Sequence, residues 1–337
     1  MKAAIFNPYL DTLGGGERYV LSFAKVLLEA GWDVNCQWKD PDIKKTLEKR
    51  FGMDLTGINI VSDIKRGDGY DLCFWVSDGS VPTLRSRKNF LHFQIPFKGV
   101  GGNSLLNKMK LWRINKIICN SQFTKKVIDE EYGVESVVVY PPVDVEHIKP
   151  KRKEDVVLSV GRFSQLTQSK RQDVLIKAFK KMTTSDWNGW KLILAGGVEV
   201  GDGYTDKLTK LSEGATIEII KSPDFSALRD LYGKAKIFWS ASGFDENEEK
   251  NPGKVEHFGI TAVEAMAAGA IPVVYNAGGH KEIVENSVNG FLWNSIHELI
   301  RKTERVVKER TTLAKKAVES SKRFGYDKFS KEILALL

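Results

Sequence analysis

Two α/β domains in series, each built on a parallel sheet, are what this sequence predicts, and three observations carry that prediction. Short apolar runs rich in β-branched residues alternate with amphipathic stretches, the pattern of βα units that feed a parallel sheet. The alternation halts at Tyr140-Pro141-Pro142-Val143-Asp144, because two prolines cannot continue a central strand, and restarts after a charged linker at 149–155. The length, 337 residues, is long for one core and comfortable for two. The expected division is a domain at 1–150 and a second at 151–321.

In the first half, strands are expected at 2–6, 33–37, 58–61, 71–75, 116–119 and 137–140, where apolar residues crowd into short runs between polar breaks. Helices are expected between them at 17–30, 43–51 and 122–131. The second half begins with a strand at 156–160 that ends in Gly161-Arg162-Phe163, then a helix at 171–182. A strand at 191–195 ends at Gly196-Gly197, and one at 216–220 ends at Lys221-Ser222-Pro223. The strand at 236–240 enters a polar loop, 243–253. Gly259 opens a helix, Ile271-Pro272-Val273-Val274 reads as a buried parallel strand, and Asn276-Ala277-Gly278-Gly279 as the loop after it. From Ser295 the tail has helical period. Two such domains predict a ligand cleft, because open α/β sheets bind ligands beyond the carboxyl ends of their strands and domain boundaries are common sites of pockets.

Composition narrows the class. Hydrophobic content of 42% and charged content of 28% fit a soluble globular protein, and no run approaches the ~18 apolar residues that cross a bilayer. Residues 1–8 lack the apolar stretch of a signal peptide. Cys36, Cys73 and Cys119 lie far apart in apolar, strand-like segments, which reads as buried, reduced thiols in the cytoplasm; no spacing points to zinc. The net charge is +8, and its basic residues are concentrated. No acidic residue occurs between Asp78 and Asp129, while Arg85, Arg87, Lys88, Lys98, Lys108, Lys110, Arg113, Lys116, Lys125 and Lys126 all do. A one-signed segment of that length creates a positive surface field.

The residues fit for chemistry cluster at strand ends. Glu256-His257-Phe258-Gly259-Ile260-Thr261-Ala262-Val263-Glu264 places a carboxylate, a glycine turn, a helix start and a second carboxylate in one stretch. Free N–H groups at a helix start receive anions. Eight helical residues rise about 12 Å, so the two carboxylates are too far apart to share a proton and read as separate hydroxyl clamps, with phosphate between them. A nucleotide sugar has that layout. The alternative is a glutamate that favours the helix dipole and a solvated one, but the small residues Ala265-Met266-Ala267-Ala268-Gly269 after Glu264 favour close packing.

Arg162, Lys170 and Arg171 stand near a strand's carboxyl edge, where cations grip a pyrophosphate, or else are solvated surface charges. Gly14-Gly15-Gly16-Glu17-Arg18 lets backbone approach a ligand, or is a tight turn without one; it matches neither the dinucleotide fingerprint nor a P-loop. His92, in Phe90-Leu91-His92-Phe93-Gln94-Ile95-Pro96, is equally a core residue or a site residue at a strand end. The acidic run Asp245-Glu246-Asn247-Glu248-Glu249 lacks calcium-loop spacing and reads as a mobile, solvated loop.

Together these motifs resemble the family 4 retaining glycosyltransferases of the GT-B fold over nearly the whole chain. The resemblance also takes in Asn120-Ser121-Gln122-Phe123-Thr124, Tyr140-Pro141-Pro142-Val143-Asp144 and Gly278-Gly279-His280-Lys281-Glu282-Ile283-Val284 with Asn289-Gly290-Phe291. It implies two Rossmann-like domains facing a cleft: an acceptor-side domain at 1–150 with 322–337 packing back on it, and a donor-binding domain at 151–321. Arg162 and Lys170 resemble the pair that binds the donor diphosphate, Glu256 the glutamate on the donor sugar, and Gly259, Ile260 and Thr261 the turn whose N–H groups meet sugar and phosphate. Glu264 resembles the ribose clamp, Gly15 and Gly16 the loop facing the donor phosphate, and His92 the family's active-site histidine. The gap from Arg162 to Lys170 is longer than the family usually shows, which leaves Lys170 and Arg171 as rival phosphate ligands.

The wording of the glycine loop and of Glu256–Ile260 is most similar to GDP-mannose-dependent mannosyltransferases of lipid-linked oligosaccharide synthesis. That implies a hexosyltransferase acting on a glycan or lipid-linked acceptor with retention of configuration and without metal or cofactor; a UDP-sugar donor is the alternative. The basic segment 85–126 is expected either to dock peripherally on an anionic membrane, at its cytoplasmic face, or to be a packed helix with a solvated basic side. A nucleic-acid-binding protein would account for the charge but not for the paired glutamates. A sugar-nucleotide epimerase shares the two-domain plan but would interconvert the free donor.

Overall fold

The computed structural model describes residues 1–164, 168–182, 187–198 and 203–337. The chain divides into two compact units, Met1–Pro142 with Tyr326–Leu337, and Val143–Gly325.

Unit 1 contains β1 (Lys2–Phe6), α1 (Gly15–Glu29), β2 (Asp33–Gln37), α2 (Ile43–Phe51), β3 (Ile58–Val61), β4 (Leu72–Val76), β5 (Lys88–Phe93), α3 (Leu105–Leu111), β6 (Lys116–Cys119), α4 (Gln122–Tyr132) and β7 (Val137–Val138). The strands form one parallel sheet in the order β3-β2-β1-β4-β5-β6-β7. The order reverses between β1 and β4, so the loop after β1 and the start of α1, which carry Gly14–Gly16, lie at the switch point where such sheets bind ligands. Strand β7 is shorter than the expected 137–140, since the paired prolines follow directly. Cys36, Cys73 and Cys119 are all free and buried, and burial pushes each thiol up to about 12.

Unit 2 contains β8 (Glu154–Val160), α5 (Gln172–Lys181), β9 (Lys191–Gly196), α6 (Tyr204–Ser212), β10 (Ile217–Lys221), α7 (Phe225–Lys234), β11 (Ala235–Ser240), α8 (Ile260–Ala267), β12 (Ile271–Tyr275), α9 (His280–Ile283), β13 (Phe291–Trp293) and α10 (Ile296–Ser321). Its parallel sheet runs β10-β9-β8-β11-β12-β13 and reverses between β8 and β11. The loops that follow those two strands carry Arg162 and Glu256. Helix α10 starts at a Ser295 cap, whose Oγ accepts from Glu298 N–H, and buries Leu299, Thr303, Val306, Leu313 and Ala317. Thr303 Oγ1 takes the indole N–H of the fully buried Trp239 at 3.0 Å, which satisfies a polar atom in the core.

The units part earlier than the sequence reading places them. Val143 bridges to Gly325, and its N–H donates to Phe324 O at 2.8 Å, so residues 143–150 belong to unit 2. The tail enters unit 1 at Tyr326 rather than at 322, as helix α11 (Tyr326–Leu336). There Phe329 meets Tyr19 edge-on at 5.2 Å, and Tyr326 Oη donates to Glu29 at 2.9 Å.

Candidate active site

The densest set of predicted residues lies in unit 2, at the carboxyl ends of β8 and β11. After β8 the chain turns at Gly161. A Cβ there would sit 2.7 Å from Lys170 Cγ, so the bare glycine lets the lysine stem lie across the turn. Gln172, buried at the start of α5, donates its amide to Gly161 O at 3.3 Å and to Arg162 O at 3.1 Å. That amide fixes the turn while the Arg162 side chain stays exposed at the strand end.

Lys170 Nζ reaches Glu256 Oε2 at 2.8 Å and Gln168 Oε1 at 2.9 Å. Gln168 in turn donates to Val255 O at 2.6 Å, tying the loop after β8 to the segment before α8. Residues 165–167 of the long gap between Arg162 and Lys170 lie outside the described residues. The Glu256 side chain is only 12% exposed. Burial alone would raise its pKa, but the Lys170 ammonium, joined by His280 and His257, outweighs it and holds the carboxyl at about 2. Glu256 is therefore an ionised hydrogen-bond acceptor at neutral pH and not a proton donor.

Backbone packing aims that carboxylate. Gly279 N–H donates to Glu256 O at 2.7 Å, and a Cβ on Gly278 would stand 2.1 Å from the same oxygen. The loop after β12 thus lies backbone against backbone on residues 256–258. Glu248 completes the arrangement by accepting from Gly278 N–H at 2.8 Å and pairing with Lys281. The acidic run, expected to be a solvated loop, has in Glu248 a clasp for the Gly278 turn. Among the described residues no group of His, Cys, Asp or Glu is arranged to hold a metal ion.

Gly259 caps α8 at φ +112°, a left-handed conformation that other residues adopt only with strain. The helix ladder begins with Ala262 and Val263 N–H on Gly259 O, so the N–H groups of Ile260 and Thr261 precede it, beside Glu256. His280 is buried behind this turn with Nδ1 2.9 Å from Tyr275 O, and burial lowers its pKa although Glu256 opposes that shift. One turn into α8, Glu264 is buried and accepts a 2.8 Å hydrogen bond from Tyr232 Oη. The two carboxylates thus have separate partners, as their spacing requires.

Arg171 is engaged elsewhere. It sits at φ +47°, its Nε lies 3.2 Å from Asp173 Oδ1, and its Nη1 donates to Phe244 O at 3.0 Å. Of the two rival cations, Lys170 is the one that meets Glu256.

In unit 1, Glu17 is buried and closes the glycine loop. Its Oε2 accepts from Gly14 N–H at 2.6 Å and Thr12 Oγ1 at 2.9 Å, and its Oε1 from Asn7 Nδ2 at 3.4 Å. Gly15 opens α1, and a Cβ on Gly16 would fall 1.6 Å from Gln94 Oε1. His92 is not brought to this loop. It is fully buried, with Nδ1 3.0 Å from Ile118 O and Nε2 without a partner among the described residues. Its ring stacks on Tyr19 at 4.2 Å and Phe74 at 5.3 Å, and burial drives its pKa down to about 3. Strand β5 is central and covered on both faces, so its end at His92–Phe93 is still core; Gln94 is the residue that emerges beside Gly16.

Sequence reasoning missed Gln172, Gln168, Tyr232 and Gln94. Each acts by a side-chain bond or contact to a distant residue, and no local pattern signals such a pairing.

The sequence and fold have relatives. The protein is 29% identical to the Dictyostelium discoideum GDP-Man:Man(3)GlcNAc(2)-PP-Dol alpha-1,2-mannosyltransferase over 97% of this chain and 62% of that one. It is 26% identical to a human alpha-1,3/1,6-mannosyltransferase over 52% of this chain and 45% of that one. It therefore spans less than two thirds of the length of these relatives. Among solved structures, a glycosyltransferase from Rickettsia africae superposes with a TM-score of 0.79 at 18% identity, covering 99% of this chain and 97% of that one. Anabaena HepE in complex with UDP and glucose superposes with a TM-score of 0.77 at 19% identity, covering 99% and 98%. At such identities the likeness speaks for the fold, which is GT-B. The family described as "Glycosyl transferases group 1" matches residues 143–325, more than half of the chain and the whole of unit 2, and this protein belongs to that family.

Proposed function

We propose that the protein is a retaining hexosyltransferase that moves mannose from GDP-mannose onto a hydroxyl of a glycan or lipid-linked acceptor. The observation that carries this reading is the Lys170–Glu256 pair, 2.8 Å apart beside the open start of α8. It sets a cation for phosphate, an ionised acceptor for sugar hydroxyls and the backbone N–H groups of a helix start side by side. The names of the mannosyltransferase relatives support GDP-mannose and a lipid-linked glycan.

In the proposed reaction the bond from C1 of the hexose to the β-phosphate oxygen breaks, and the acceptor oxygen bonds to C1 from the same face. The acceptor proton passes to the departing phosphate oxygen, so no protein base is required. Negative charge grows on that phosphate as the bond breaks. Arg162, Lys170 and the N–H groups of Ile260 and Thr261 are held in advance to offset it. Glu256 accepts from hexose hydroxyls, and Glu264, oriented by Tyr232, accepts from the ribose. Charge compensation by these groups makes turnover independent of added metal. His92, enclosed in its aromatic stack, contributes packing rather than chemistry.

A calorimetric and thermal-shift panel of GDP-, UDP- and ADP-sugars, followed by transfer assays with and without EDTA, tests the proposal. GDP-mannose is expected to bind and stabilise, with turnover unchanged by EDTA. A response to a UDP-sugar alone would replace the donor. Conversion of free donor without acceptor would mean an epimerase.

A further inference from the structure

Helix α3 has no buried residue, and four large apolar side chains on or directly after it point to solvent: Leu105 at 77% exposure, Leu106 at 61%, Met109 at 67% and Trp112 at 94%. Leu105, Met109 and Trp112 follow the i, i+4, i+7 spacing of one helical stripe, and Trp112 keeps helical backbone angles. The opposite side, through Leu111 and Ile114, packs on the cluster of Val81, Leu91, Phe93 and Tyr132. The helix is therefore anchored on its inner side, and its outer side leaves large apolar as well as basic side chains exposed.

Its mounting is firm. Glu131 accepts from the N–H groups of Gly99, Val100 and Gly102 at 2.8, 3.0 and 3.0 Å, clasping the loop that leads into α3. Asn107 Nδ2 donates back to Gly101 O at 3.2 Å. Lys108 and Arg113 lie exposed beside the stripe and Lys110 is half-buried, all inside an interval from Gly79 to Ile128 that contains no acidic residue.

We infer that the outer face of α3 is a docking surface for an anionic lipid bilayer, with Leu105, Met109 and Trp112 entering the headgroup boundary and Lys108, Lys110 and Arg113 meeting the charged headgroups. Charge selects this occupant. A second copy of the chain would set the same basic side chains against one another, whereas an anionic bilayer offers opposite charge around an apolar interior. Tryptophan at the end of such a stripe suits the interface, with its ring in the boundary layer and its N–H toward water. The surface is read from unit 1 alone, so it stands or falls independently of the donor proposed for unit 2.

The test is co-sedimentation of the full chain with vesicles of neutral phosphatidylcholine, and of phosphatidylcholine mixed with phosphatidylglycerol. The wild-type protein is expected to pellet with the anionic vesicles and to be released by raised salt. Met109→Glu with Trp112→Glu is expected to weaken that binding by at least about tenfold, and Lys108→Glu with Lys110→Glu by about as much. Met109, Trp112 and Lys108 are exposed and Lys110 is half-buried, so both variants should keep a melting temperature near that of the wild type and its GDP-mannose binding. Equal pelleting with neutral vesicles at every salt concentration would overturn the inference, as would undiminished binding by the variants. A lipid-free dimer that becomes a monomer in the Met109/Trp112 variant would assign the face to a second copy instead.

Discussion

Lys170 Nζ stands 2.8 Å from Glu256 Oε2, which joins the loop after β8 to the segment before α8 across the switch point of the unit 2 sheet. In the proposed reaction each partner takes up a different part of the donor, so the pair holds both groups in place before substrate arrives. Lys170→Ala and Glu256→Ala should each lower transfer by about a hundredfold or more, the scale on which removing one preorganised charge acts on a developing oxyanion. Arg162→Ala should do likewise. Steady-state kinetics with circular dichroism as the folding control would check this, and near wild-type turnover would remove that residue from the site.

The same pair makes stability depend on acid. The Glu256 carboxyl is held at about 2, below its ordinary 4.5, so the unfolded chain binds its proton first as pH falls. The pair's contribution is complete above about pH 4.5 and is lost as pH falls through about 2. At about 1.4 kcal/mol per pH unit, it is on the order of 3 kcal/mol. Urea unfolding across that window should show Glu256→Gln to be less stable than wild type at neutral pH, with a flatter decline in acid.

His92 acts in a higher window. Burial keeps its ring neutral down to about pH 3, whereas an unfolded histidine takes its proton near 6.5. Stability is therefore full above about pH 6.5 and falls as the pH drops toward 3. His92→Phe should remove this decline, at the cost of about 1 kcal/mol for the bond to Ile118 O. The variant should retain transfer within a few-fold. A hundredfold loss with an unchanged melting temperature would return His92 to the catalytic list.

Strand ends and turns were legible because βα punctuation is local. The end of β8, the polar loop after β11 and the turn at Gly259 all fall where apolar runs give way to glycine. Lys170 and Arg171 could not be ranked from sequence, because neighbouring cations at a helix start look alike. In the structure their contacts differ: Arg171, with a left-handed backbone, bonds to Asp173 and Phe244, whereas Lys170 meets Glu256. The burial of His92 was equally hidden, since it follows from the central place of β5 in the sheet. The bare face of α3 was hidden too, because an apolar and basic pattern does not say which side the core takes.

Gly16 and Gln94 should show coupled behaviour. A Cβ at Gly16 would overlap Gln94 Oε1, the far end of a flexible side chain. Gly16→Ala should therefore displace that amide and lower transfer, whereas Gly16→Ala with Gln94→Ala should lose less than the two single effects added together. A double-mutant cycle on kcat/KM and melting temperature measures this, and strict additivity would mean that the two residues do not meet.

Gly278 should be the least replaceable glycine of the site. It adopts φ +55°, and a Cβ would stand 2.1 Å from Glu256 O and 2.9 Å from Val255 Cγ2. The first obstacle is backbone, so no rotamer change relieves it. Gly278→Ala must push the 276–279 loop away from residues 256–258, which loosens the 2.7 Å bond from Gly279 N–H to Glu256 O. The expected cost is about 2 kcal/mol or more in stability, with a hundredfold loss of transfer because Glu256 loses its aim. Gly253→Ala is the control, since it has open space around its Cβ position and a backbone that side chains accept. It should leave both the melting temperature and transfer near wild type. If Gly278→Ala melts like wild type and transfers normally, the backbone contact does not position Glu256.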